Sequence, residues 1–197
     1  MLDKVQKLRN QNKGIKDLIV FIVVAAVLIV LCNTFVGRQI YVLGSSMEDT
    51  LHDNDSVIVE KLSYYTNEPE RFDVIVFKPQ QKDITDYYIK RIIGLPGEMV
   101  KIDGDQIYIN GKVLEERFGK EPITDPGRCV EEVRLGEDEY FVLGDNRSVS
   151  KDSRFIEVGN VRRSAIVGKV WAKIWPLNEM GFFDHKKEQN EIVGEEE

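Results

Sequence analysis

The sequence predicts a mainly β protein: a compact antiparallel, barrel-like domain behind a single amino-terminal transmembrane helix. Three observations point there. One unbroken apolar run, residues 18–32, stands near the amino terminus. Short β-branched runs recur afterwards, at residues 39–43, 56–60, 73–77, 87–93, 99–102, 106–109, 140–143 and 165–174. Helical periodicity is weak everywhere outside the apolar run.

The chain has 197 residues, enough for one ordinary domain and an anchor, and its 42% hydrophobic content is that of a folded protein. The net charge of −7 is unevenly spread, with +3 on residues 1–37 and −10 on the rest. An acidic domain without a basic cluster gives no footprint for nucleic acid. Cys32 lies in the apolar run and Cys129 far along the chain, so no intrachain disulfide is expected. His52 and His185 are the only histidines and neither sits in a ligand-spaced motif. The expectation is therefore no metal and no organic cofactor.

The apolar run reads LIVFIVVAAVLIVLC and is extended by Asn33-Thr34-Phe35-Val36. A helix over 18–37 would rise about 30 Å, the hydrocarbon thickness of a bilayer. A buried core helix would carry a polar stripe, which is absent here. The exit offers no small-x-small cleavage site, and bulky Leu31 precedes Cys32 where a lipoprotein has a small residue, so the segment is expected to be retained. Lys4, Lys7, Arg9, Lys13 and Lys16 precede it, whereas Arg38 is followed by no basic residue until Lys61. The positive-inside rule then gives four segments. Residues 1–17 are cytoplasmic and basic, 18–37 span the cell membrane, 38–183 form an extracytoplasmic β-rich domain, and 184–197 are a solvated acidic tail.

Turn chemistry divides that domain. Asn110-Gly111, between two apolar runs, predicts a two-residue hairpin, since both central positions need positive φ. Leu95-Pro96-Gly97 and Asp125-Pro126-Gly127 mark further turns, and residues 67–71 and 118–128 read as loops.

Three blocks carry chemistry: Gly44-Ser45-Ser46-Met47-Glu48-Asp49-Thr50-Leu51, Tyr88-Ile89-Lys90-Arg91-Ile92-Ile93-Gly94-Leu95-Pro96-Gly97-Glu98, and Gly144-Asp145-Asn146-Arg147-Ser148-Val149-Ser150-Lys151-Asp152-Ser153-Arg154. A serine hydroxyl needs a neighbouring base, and neither histidine has an acidic partner in a motif. Lysine serves as a base only when neutral, which burial among apolar groups promotes. Lys90 lies in such a run, with Ile89, Ile92 and Ile93 about it. Taken alone, it reads first as a surface lysine on a half-exposed strand. Ser148-Val149-Ser150-Lys151 fits a Ser-x-x-Lys pattern, but the companion elements of penicillin-recognising enzymes are absent.

From the anchor to Trp175-Pro176, the three blocks in this order resemble the type I signal peptidases, in their Gram-positive bacterial form. The resemblance implies membrane-bound Ser-Lys endopeptidases that remove signal peptides from exported preproteins through an acyl-enzyme. It makes Ser46 the nucleophile, Lys90 the general base and Ser150 a hydroxyl that helps hold the lysine amine. Asp145 would support the site, Asp152 and Arg154 would form an ion pair beside it, and Arg91 would join that network. Gly44 stands where some relatives place an oxyanion-binding serine, which would leave the Ser46 N–H as the main donor, worth about 3 kcal/mol. Asp49 replaces the usual proline after Ser46-Met47, and Asn54 replaces a glycine.

If residues 39–46 are extended, Ile40, Val42, Gly44 and Ser46 share one face, and an extended peptide could pair there with Ile40, Val42 and Ile89 as apolar walls. Each of these is equally readable as core. The expected partners are signal-peptide-bearing preproteins and the lipid bilayer, with Ser46 near the outer surface and Trp171, Trp175, Phe182 and Phe183 as candidate interfacial rings, the two tryptophans being equally readable as core. Two rival readings are an autoproteolytic repressor-type relative, which should carry a DNA-binding module in place of the span, and a non-catalytic anchored β-domain for surface interaction or assembly.

Overall fold

Apolar runs with no polar alternate must be covered on both faces, and several strands here are of that kind. The computed structural model describes residues 2–31, 37–79, 87–119 and 121–183. The chain divides into two units, Met1–Gly37 and Arg38–Glu197.

The first unit is one helix, α1 (Leu2–Leu31). Its apolar part, residues 18–31, would rise about 21 Å at 1.5 Å per residue, short of the roughly 30 Å of a bilayer core. Among the described residues no helix is long and apolar enough to cross a membrane. The span expected over 18–37 runs on through residues 32–36, which lie outside the described residues, as do Cys32 and the acidic tail 184–197. The side chains from Leu18 to Phe21 and from Val27 to Ile29 are exposed.

The second unit is built from two antiparallel sheets. Its strands are β1 (Arg38–Tyr41), β2 (Ser56–Glu60), β3 (Val74–Phe77), β4 (Tyr88–Gly94), β5 (Met99–Asp103), β6 (Gln106–Ile109), β7 (Lys112–Val113), β8 (Val133–Arg134), β9 (Glu139–Leu143), β10 (Val161–Arg162), β11 (Ile166–Trp175) and β12 (Gly181–Phe182). One sheet runs β1-β2-β11-β3-β4-β9-β10 with β12 on β11, and the smaller runs β7-β6-β5-β8. Register shifts in β11 and β4 mark bulges, which bend strands and raise their twist. The large sheet is thus a curled half-barrel, open at β1 and β10 among the described residues, rather than a closed barrel.

Period two assigns the core. On β3, Val74 and Val76 pack with Val57, Val59 and Met47, while Ile75 and Phe77 pack on the other face with Ile92, Tyr140 and Val142. On β9, Phe141 and Leu143 turn instead to the core between the two sheets, which also holds Val100, Ile102 and Cys129. Cys129 is fully buried there, and burial pushes its thiol up to about 12. The hairpin at Asn110-Gly111 forms with φ of 52° and 77°, pairing Ile109 with Lys112. The strand expected over 39–43, with its extension to 46, falls short: β1 ends at Tyr41, and Ser46 lies in a turn closed by Glu48 N–H donating to Ser45 O at 3.2 Å.

Candidate active site

Two neighbouring strands and two turns bring the three sequence blocks together. β4 pairs with β3 and β9, setting Lys90 opposite Ile75 and Arg91 opposite Leu143. The segment leaving β9 therefore passes beside the β4 cations. The Ser46 turn is tied to the same segment where the Asn146 N–H donates to Ser46 O at 3.2 Å.

Lys90 Nζ lies 2.6 Å from Ser46 Oγ and donates to Ile89 O at 3.0 Å. The lysine is only 4% exposed. Burial drives its amine down from 10.5 to about 8, while the negative charges of Asp152 and Asp145 pull it partly back. Ser46 is half-buried, open to solvent on one side. A neutral amine in hydrogen-bond reach of a hydroxyl is the arrangement that proton removal requires.

Asp145 and Arg91 form a buried two-pronged pair, with Nε to Oδ1 at 3.0 Å and Nη2 to Oδ2 at 2.8 Å. Arg91 also donates to Phe72 O at 3.0 Å and stacks 3.8 Å from the Phe118 ring centre. Asp152 accepts from Arg154 Nε and Nη2, each at 2.9 Å, and from the Gly144 N–H at 3.2 Å. Arg154 donates onward to the carbonyls of Asp125, Arg147 and Ser150, which fixes the loop against the 118–128 excursion. Buried charges survive only with such full partnering.

Ser150 is buried beside the dyad, but its Oγ has no hydrogen-bond partner, so it does not hold the lysine amine in this arrangement. Gly144 explains how closely these groups approach. A Cβ there would sit 2.2 Å from Ser150 Oγ and 2.4 Å from Ser46 O. Gly44 has φ of +84° with open space around it, and its N–H donates to Asp53 Oδ1 at 2.7 Å. A serine there would need a left-handed backbone. The Ser46 N–H has no partner among the described residues and remains available.

A cleft of about 590 Å³ opens at the dyad. Ile40, Val42 and Ile89 line it, although Val42 and Ile89 also pack in the core, so each is wall and core at once. Tyr41, Leu43, Met47, Tyr87, Tyr88, Val149 and Lys151 line it too, although the sequence assigned none of them to the cleft wall. Nor did it assign a role to Thr50, whose hydroxyl donates to Asp145 Oδ2 at 2.5 Å and accepts from Arg91 Nη2 at 3.1 Å. Its one signal was a hydroxyl on the same turn as Ser46. Glu116, which accepts from Arg147 Nη2 at 2.8 Å, had no local signal.

Elsewhere, His52, Asp55 and Glu179 converge, and the charge among them is met by Lys173 Nζ, 2.7 Å from Asp55 and 3.1 Å from Glu179. Trp171, Trp175 and Phe182 are exposed, with the rings of Trp171 and Phe182 4.9 Å apart, while Phe183 is half-buried.

Residues 15–175 match the family model described as "Signal peptidase, peptidase S26". Signal peptidase I of Leptolyngbya laminosa is 41% identical over 155 residues, 76% of this chain and 74% of that protein. Signal peptidase I of Bacillus licheniformis is 32% identical over 182 residues, 89% and 96% respectively. Signal peptidase IB of Staphylococcus aureus (strain COL) is 34% identical over 183 residues, 85% and 93%. A solved signal peptidase I from Enterococcus faecalis V583 superposes with a TM-score of 0.44 at 34% identity, over 53% of this chain and 97% of that one.

Proposed function

The chain belongs to the signal peptidases of the peptidase S26 family, and from that premise we propose that Ser46 and Lys90 remove signal peptides from exported preproteins. The observation that carries the residue assignment is the 2.6 Å separation of Ser46 Oγ and a buried Lys90 Nζ whose proton burial loosens to about 8. The neutral amine takes the hydroxyl proton as Oγ attacks the scissile carbonyl. The Ser46 N–H steadies the oxyanion. The new ammonium then gives its proton to the leaving amine, and the signal peptide stays as an ester on Ser46. Water, deprotonated by the same amine, hydrolyses that ester and returns the proton to Oγ.

Asp145, Arg91, Asp152 and Arg154 hold this geometry as paired charges, and Ser150 supplies a hydroxyl that can turn toward the ammonium once it forms. Ile40, Val42 and Ile89 take the side chains of the extended peptide that precedes the bond. The anchor reading rests on α1, whose apolar side chains lie exposed in a row behind five basic residues. It makes the protein single-pass in the cell membrane, with residues 1–17 cytoplasmic and the β domain outside.

Incubating the purified chain with a signal-bearing precursor and sequencing the new amino terminus tests the activity. Ser46→Ala and Lys90→Arg should each abolish the cut, the latter because guanidinium does not release its proton. Full cleavage by either variant refutes the dyad. Protease added outside intact cells should digest the β domain and spare residues 1–17.

A further inference from the structure

Among the described residues, only two charged side chains line the cleft, and both are lysines. Lys90 is buried against Ser46. Lys151 is exposed and has no ion pair among the described residues. Among the described residues no carboxylate lines the cleft wall. Lys151 follows Ser150, whose hydroxyl packs at Gly144 beside Ser46 O, so this side chain starts from the reacting end of the cleft that it lines. The strip formed by Ile40, Val42 and Ile89 is apolar and suits uncharged side chains, those proposed above to precede the scissile bond. Lys151 lies outside that strip, on the loop after β9.

We propose that Lys151 is a specificity-determining residue that favours preproteins carrying an acidic side chain in the first residues after the scissile bond. The idea rests on the peptidase reading above. It concerns the leaving chain, where a cation can attract a carboxylate without entering the apolar strip. An exposed pair of this kind has the strength of a surface ion pair, a few-fold in rate.

The test uses the full chain in detergent and three peptides, identical except for Glu, Gln or Lys at the second residue after the bond. At about 0.01 M salt, kcat/KM should favour the Glu peptide over the Lys peptide roughly three- to fivefold. At about 1 M salt, where the screening length falls to about 3 Å, the ratio should approach one. Lys151→Gln should flatten the ratio at low salt, and Lys151→Glu should invert it. Because the ratio is taken within each variant, a common change in rate cancels. A ratio unchanged in Lys151→Glu, or flat in the unaltered protein, overturns the proposal while leaving the peptidase reading intact. Failure of the unaltered protein to cut any of the three peptides overturns both.

Discussion

At Lys90, protonation and catalysis compete for the same lone pair. With the amine at about 8, activity should climb with pH through that value and level off above it, since only the neutral form accepts the Ser46 proton. A rate that falls over that limb would contradict the mechanism. Stability follows the same sign. The folded value lies below the ordinary 10.5, so between about 8 and 10.5 the unfolded chain binds more protons and stability rises with pH. Below about 8 the folded state carries the whole penalty, at most about 3 kcal/mol. Lys90→Met should therefore be inactive yet more stable at pH 7, by about 1–3 kcal/mol in denaturant unfolding, and an unchanged or lowered midpoint would count against the burial argument. Thr50 belongs to this scale as well. Thr50→Val removes a hydroxyl that both donates to Asp145 and accepts from Arg91, leaving buried groups short of a partner at a cost of about 1–3 kcal/mol. It should lower kcat more than it alters KM, with Thr50→Ser restoring both; equal kinetics in Thr50→Val would remove Thr50 from the site.

Strands and turns were legible to the degree that their signals are local. The alternation in residues 56–60 and 106–109 and the Asn110-Gly111 pair gave β2, β6 and the hairpin with their bounds. The two-residue strands β8, β10 and β12 carry no period of their own and exist because β5, β9 and β11 offer them ladders. The stretch before Ser46 misled for a related reason: its apolar alternation continues past Tyr41, yet Gly44 turns left-handed and the chain folds over instead. Gly144 shows how a loop can depend on one missing methyl. Gly144→Ala would push a Cβ into Ser150 Oγ and Ser46 O, displacing the nucleophile turn from Lys90. The expected result is a loss of kcat of at least about tenfold, given how steeply rate depends on an ångström of misplacement, and wild-type kinetics in this variant would refute the tight approach.

Across the whole molecule, three blocks in a fixed order announced that Ser46, Lys90 and the Asp152–Arg154 pair would meet, whereas supports from outside those blocks or without a motif of their own were not announced. Glu116, Thr50 and Phe118 reach Arg147, Asp145 and Arg91 only after the sheets have formed, and no spacing in the chain announces such meetings. Residues from Arg38 onward hold every buried cluster described, so that unit should function without the helix. A chain beginning at residue 38 should still cut a soluble peptide within about threefold of the full protein, while no longer sedimenting with membranes. Loss of the peptide activity would mean that the helix completes the site. The sealed Cys129 gives this unit an internal clock. In a Cys32→Ser background, a thiol-specific dye can mark Cys129 only while the two sheets part, so the labelling rate counts those partings directly and would reveal whether a bound peptide makes them rarer.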